Sequence, residues 1–173
     1  MIADPWLRRA SDVIEVTVAA MTPEALAWHL PDKWSSAEVL EHLGKSYGTT
    51  AYILEKCVRE ARTVATPPSW RQWLLTHVLL TLRYFPSGVR APAVTKPDGL
   101  ISPLEALASA RMSLAALDIA AQKSAARFGA HVAVANHPLL GGFTTAQWRR
   151  FHWRHTRHHM RQIARLSRNR PPT

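Results

Sequence analysis

The sequence predicts an all-α protein: a four-helix bundle with a long crossover, containing a short extra helix, between the second and third main helices. Three observations carry this expectation. Apolar residues recur every three or four positions along four long stretches, as a buried helix face requires, and no segment reads as a convincing alternating strand. Helix-capping signals open those stretches, and Pro- or Gly-rich punctuation separates them. The 173 residues, 47% hydrophobic and 20% charged, suit one domain over residues 1–173 that can fold without a disulfide.

Taken in order, the first helix is predicted from Pro5 to Met21, and Thr22-Pro23-Glu24 starts another short turn. Pro31-Asp32-Lys33 is a connection. Ser35 or Ser36 then caps a long second helix, with Glu38 at capping-box distance from Ser35. Its apolar stripe is Val39, Leu40, Leu43, Tyr47, Leu54, Val58 and Ala61, and Thr66-Pro67-Pro68 ends it. A shorter apolar helix is expected from Ser69 to Tyr84, then a loop from Pro86 through Pro97 with Asp98-Gly99 as a turn signal. Ser102-Pro103 with Glu105 opens the third main helix, Pro at its first position. That helix carries Leu104, Leu107, Met112, Leu114, Leu117 and Ile119 to Phe128, with Gly129 as its cap. His137-Pro138-Leu139-Leu140-Gly141-Gly142 reads as a loop. Thr144 or Thr145 caps the last helix, which runs to Arg168.

Composition narrows the class of function. Seven Gly among 173 residues exclude collagen-like and low-complexity chains. The single cysteine, Cys57, excludes an internal disulfide framework and suits a reducing compartment. No run approaches about 18 uninterrupted apolar residues, the length a membrane span needs. The segment MIADPWLRRASD has charges where a signal peptide would place its apolar core. Together these features predict a cytoplasmic protein with no membrane partner.

The net charge of +10 is unevenly distributed. Residues 1–118 hold 12 Lys/Arg and 12 Asp/Glu, whereas residues 119–173 hold 10 Lys/Arg and no carboxylate. A one-sign field at one end attracts anionic partners, whether nucleic acid, lipid or a small acidic metabolite.

Placing residues at about 100° each sorts the last helix into sectors. Trp148, Phe151, His152, His155, His159, Gln162, Ile163 and Leu166 share one face, while Arg150, Arg154, Arg157, Arg161, Arg165 and Arg168 form an adjacent stripe. Trp153, Thr156 and Met160 fall mostly outside both. His155 and His159 therefore occupy the centre of the core-facing stripe. A lone histidine there is ordinarily a hydrogen-bonded core residue. Two at i and i+4 can share one metal ion, with the third ligand from another helix. His42, at the edge of the second helix's apolar stripe, is the best candidate. Spacing leaves it open between a ligand and an exposed side chain. His29, His77 and His131 read as structural or solvent-exposed. His155 is followed by Thr156 rather than the Glu of a His-Glu-x-x-His motif, which rejects a zinc metalloprotease.

Two segments have a familiar pattern. Trp34-Ser35-Ser36-Ala37-Glu38-Val39-Leu40-Glu41-His42-Leu43 resembles the tryptophan-to-histidine segment of the DinB-like (YfiT-type) superfamily. His137 through Thr144, Gln147-Trp148 and His155 through Ile163 resemble that superfamily's C-terminal signature. The resemblance implies a four-helix bundle with a divalent metal, Zn or Ni, on one histidine of the second helix and two of the last, here His42, His155 and His159. It further implies a metal-dependent thiol S-transferase using a low-molecular-weight thiol, with a metal-dependent hydrolase as the alternative. The substrate would be a small anionic molecule or a thiol. Glu41, next to His42, stands as an outer-sphere acid–base candidate. A third reading is a non-catalytic basic bundle that binds nucleic acid through its arginine stripe or forms a homodimer. No recognised DNA-binding motif accompanies the stripe, and a solvated basic face accounts for it. Trp70, Trp73, Trp148 and Trp153 exceed what one small core needs, which keeps the homodimer in view.

Overall fold

In the computed structural model, which describes residues 1–81 and 90–171, the chain is mostly helical with one small two-stranded antiparallel sheet. The elements are α1 (Pro5–Val18), α2 (Pro23–Ala27), α3 (Ser36–Arg59), α4 (Trp70–Thr81), a 3-10 turn at Ala93–Thr95, α5 (Pro103–Phe128), β1 (Ala133–His137), β2 (Gly141–Thr144) and α6 (Thr145–Arg168). The continuation of α4 to Tyr84 and the start of the Pro86 loop lie outside the described residues.

The capping signals do what their chemistry suggests. At Ser35, Ser102 and Thr144 the hydroxyl accepts the backbone N–H three residues on, and the Glu38, Glu105 or Gln147 side chain accepts the N–H of the cap. Asp4 caps α1 by accepting from Trp6 and Leu7. Helix α1 stops at Val18, short of Met21, because Thr22 must be extended to cap α2. The segment before α1 is tied down by Asp118 of α5, a buried carboxylate accepting the N–H groups of Ala3 (2.7 Å) and Asp4 (3.1 Å).

Packing is broadest between α3 and α5, and α1 lies along α6. The approach of α3 to α5 is close enough that a Cβ on Gly44 would stand 3.2 Å from the Ala110 backbone nitrogen. Leu7 and Ile14 of α1, Leu40, Tyr47 and Leu54 of α3, Leu114 and Leu117 of α5, and Ile163 of α6 fill the core.

Four expectations are corrected here. Val58 is only half-buried and Ala61 exposed, because α3 ends at Arg59; Cys57 takes the buried place. On α5 the expected core residues Leu104, Met112 and Ile119 point outward, and Ala106, Ala110, Ala120 and Ala121 face inward. The close α3–α5 contact needs small side chains, so size alone picks the wrong face. On α6, Thr156 and Met160 are buried, making the inward face wider than expected.

The fourth correction concerns residues 137–142, expected to be a loop. Residues 138–140 are a turn, but His137, Gly141 and Gly142 belong to the strands of a hairpin in which Ala135 pairs with Phe143, Asn136 with Gly142 and His137 with Gly141. The strands are too short to establish an alternating pattern, and Pro138 in the turn mimics loop composition. Gly141 adopts φ +77°, which glycine accepts without strain. The connection after α3 lies alongside: Val64 N–H donates to the Val134 carbonyl (2.8 Å), and Thr66 N–H to Asn136 Oδ1 (2.9 Å). The tryptophans divide: Trp148 is buried and Trp153 packs on the core, while Trp70 and Trp73 of α4 are exposed. Among the described residues no helix is long and apolar enough to cross a membrane.

Candidate metal centre

His42 lies in the second turn of α3, and His155 and His159 lie on one face of α6 where i, i+4 spacing stacks them. The fold brings all three together. His42 Nε2 stands 3.2 Å from His155 Nε2, and His159 Nε2 stands 3.0 Å from the same atom. The candidate donor atoms of the three lie within 4.8 Å of one another, close enough to hold a metal ion. The side chains are only 4–8% exposed, so the reading of His42 as an exposed side chain is corrected.

The outer nitrogens explain the orientation of two rings. His42 Nδ1 is 2.8 Å from the Thr95 carbonyl, which can only accept, so this nitrogen carries the proton. His159 Nδ1 is 3.0 Å from Gln162 Oε1 and donates likewise. Each ring therefore turns a bare Nε2 lone pair toward His155 Nε2. A single proton on that nitrogen cannot satisfy both partners well, whereas a cation between the three can. Nitrogens bound at about 2.0–2.1 Å in a tetrahedron stand about 3.3 Å apart, close to the observed separations. Outer N–H donation to a carbonyl or side-chain oxygen is also how metal-binding imidazoles are commonly oriented.

Burial holds the cluster neutral. It pushes the pKa of His42 down against the opposing Thr95 hydrogen bond. His159 falls to about 3, first through burial and then through the neighbouring His42 charge. His155 lies well below its ordinary value through burial, followed by repulsion from His159 and His42. Neutral imidazole is the form that binds metal. Trp34, with its ring 5.4 Å from that of His42, and Phe151, stacked on His155 at 5.4 Å, form apolar walls.

The remaining candidates fall elsewhere. His152 is fully buried one turn before His155, yet its Nε2 bonds Thr50 Oγ1 at 3.0 Å, and burial first, with His137 second, lowers its pKa to about 3. His137 lies among Phe143, Trp148 and Phe151, its pKa lowered to about 4 by burial. His158 sits beside His159, ring centres 5.1 Å apart, with its pKa lowered by burial and then by Arg165 and Arg161. His29, His77 and His131 are exposed, as expected. Cys57 is buried about 22 Å along α3 from His42, its thiol pushed up by burial.

Glu41 does not face the cluster's chemistry. Its buried carboxylate pairs with Lys45 Nζ (2.6 Å) and accepts the N–H groups of Asp98 (3.0 Å) and Gly99 (3.2 Å). The role of Thr95 was illegible in the sequence, because a backbone carbonyl leaves no side-chain signal. Gln162 was visible only as a polar residue on the histidine face.

The arginine stripe is not wholly solvated. Arg150 lies over the Trp6 ring at 5.7 Å, and Arg154 and Arg157 are half-buried, while Arg161, Arg165 and Arg168 are exposed.

Residues 69–166, more than half of the chain, match the model of a family described as a protein of unknown function, DUF1569. The chain belongs to the DUF1569 family. No curated protein and no solved structure matches it. The DUF1569 region runs from α4 into the last turns of α6, so it contains His155 and His159 but not His42. The DUF1569 description names no activity.

Proposed function

We propose that His42, His155 and His159 bind a divalent metal ion, Zn²⁺ or Ni²⁺, within a four-helix bundle of α1, α3, α5 and α6, and that the protein is a metal-dependent thiol S-transferase. The observation that carries the metal reading is the convergence of two bare Nε2 lone pairs on His155 Nε2 at 3.2 and 3.0 Å in a buried pocket. The thiol chemistry rests on the resemblance of the Trp34–Leu43 and His137–Ile163 segments to the DinB-like superfamily.

When bound, a Zn²⁺ or Ni²⁺ ion supplies Lewis acidity that brings the pKa of a thiol or water toward neutrality. The chain's own residues supply the rest. Thr95 and Gln162 orient the imidazoles, and Trp34 and Phe151 limit water. A three-histidine set is the make-up of catalytic zinc sites that keep a position for substrate. The cluster contains no carboxylate, and Glu41 is engaged with the crossover. A thiol, with an ordinary pKa of about 8.5, needs a base far less than water does, which favours S-transfer over the hydrolase alternative. Arg161 and Arg165, whose charge reaches His158 beside His159, favour a small anionic substrate or thiol.

The test is metal content by elemental mass spectrometry on untagged protein, with His155→Ala alongside, followed by a screen of low-molecular-weight thiols against electrophiles. About one equivalent of metal, lost in the variant, is expected. No metal after reconstitution overturns the reading; metal without thiol-dependent turnover overturns only its catalytic part.

A further inference from the structure

We propose that Glu41 is a positioning residue for the metal centre: its buried carboxylate clamps the crossover so that the Thr95 carbonyl holds His42 with Nε2 turned to the cluster. This inference rests on the metal reading above.

The need for such a device follows from where the three histidines come from. His155 and His159 share one helix, so their spacing is set by α6 alone. His42 is on α3, which packs mainly against α5 and touches α6 over a much smaller area. Its ring must be aimed by something else. The contact that aims it is the 2.8 Å hydrogen bond from Nδ1 to the Thr95 carbonyl, 53 residues away in the crossover. A carbonyl in a connection orients a ring only if the connection itself is held.

Glu41 holds it. One carboxylate oxygen accepts the N–H of Asp98 and the other that of Gly99. Lys45, one helical turn on, bonds the same carboxylate, the Lys96 carbonyl (3.1 Å) and Asp98 Oδ2 (3.0 Å). Asp98 Oδ1 in turn accepts Leu100 N–H (3.1 Å), and Gly99, at φ +70°, closes the turn. Three successive backbone donors are thus satisfied at one point. At the other end of the segment, the Thr95 hydroxyl donates to the Pro92 carbonyl (3.2 Å). The residues before and after the aiming carbonyl are therefore fixed, one end by α3 itself. A helix that supplies the ligand also supplies the anchor for the group that orients it.

The arrangement couples two events. If the clamp favours the metal-ready His42, metal on His42 must favour the clamp by the same factor. The experiment is a Co²⁺ titration of the full chain, followed by visible absorption, on wild type, Glu41→Gln and Lys45→Met. Leu54→Ala serves as a control that destabilises the same helix away from the site. Hydrogen exchange at the Asp98 and Gly99 amides is measured on wild type with and without Co²⁺. Expected are about a 10-fold weaker affinity in Glu41→Gln, a smaller loss in Lys45→Met, unchanged affinity in folded Leu54→Ala, and metal-dependent slowing of both amides. Wild-type affinity in Glu41→Gln overturns the inference, as does exchange at both amides that ignores the metal. That second readout stands even if the variant does not fold. A wild-type chain that takes up no Co²⁺ overturns the metal reading itself, and this inference with it.

Discussion

Two groups of histidines meet at α6, and they are built differently. His42, His155 and His159 turn ring nitrogens toward one another, with the outer nitrogens of His42 and His159 held by oxygen acceptors. His152 and His137, one turn and more away, face aromatic rings. Thr50 Oγ1, which itself donates to the Ser46 carbonyl, accepts from His152 Nε2. Burial is equal in kind and lowers the pKa in both groups, so burial does not separate a ligand from a core histidine. What separates them is whether the ring nitrogens converge on one another, as at His42, His155 and His159, or do not, as at His152, whose Nε2 goes to Thr50.

The sharpest way to break this contrast is to delete one member of each group. His155→Ala should lower metal affinity by more than the 10–100-fold typical of losing an outer-shell partner, because it removes the central donor. His152→Ala should keep its metal but lose about 3 kcal/mol of stability, through the cavity and the stranded Thr50 hydroxyl. Paired metal titration and urea denaturation check both. Equal metal loss in the two variants would erase the distinction.

Acid should act on both groups in the metal-free chain. The unfolded histidines take up protons near pH 6.5, whereas the folded His137 resists to about 4 and His152 and His159 to about 3. Between those values the unfolded state binds more protons, so stability is full above about pH 6.5 and falls as the pH drops. The melting temperature should drop by more than about 10 °C between pH 7 and 4.5. Metal should raise the whole curve and be released in the same range, since protons compete for its ligands. A flat melting profile over that range would show that these histidines are not held neutral.

Gln162→Leu probes the outer shell of one group alone. With no acceptor for His159 Nδ1–H, metal affinity should weaken by about 10-fold, read by Co²⁺ titration, with the His152 environment unchanged. The smallest effect belongs to the neighbouring stripe. Arg161→Ala and Arg165→Ala, both exposed, should change folding stability by less than about 0.5 kcal/mol in urea denaturation. If these variants instead raise the KM for an anionic thiol, the stripe contributes to substrate capture.

Much of this contrast was readable from spacing. The i, i+4 pair His155 and His159, on the apolar face of a helix whose cap was narrowed to Thr144 or Thr145, needed no tertiary information. His42 needed the resemblance of its surrounding segment, because its own position left ligand and surface residue open. Thr95 was beyond reach, since a carbonyl's role depends on what lies against it. Glu41 was noticed for its place in the chain and misread as an acid–base candidate. Its partners are backbone N–H groups 57 and 58 residues away.

The sequence by itself determined the helices, their caps and the stripe that carries two of the three histidines. These depend on local hydrogen bonds and on a 3.6-residue period, both of which are written within a few turns of chain. Only the tertiary structure decided the inward face of α5, the hairpin, and the meeting of His42 with α6 under the Thr95 carbonyl. Each of those depends on contacts between distant segments. Close approach favours alanine over leucine, a short strand gains its pairing from a partner, and a ring is aimed by whichever backbone is packed against it.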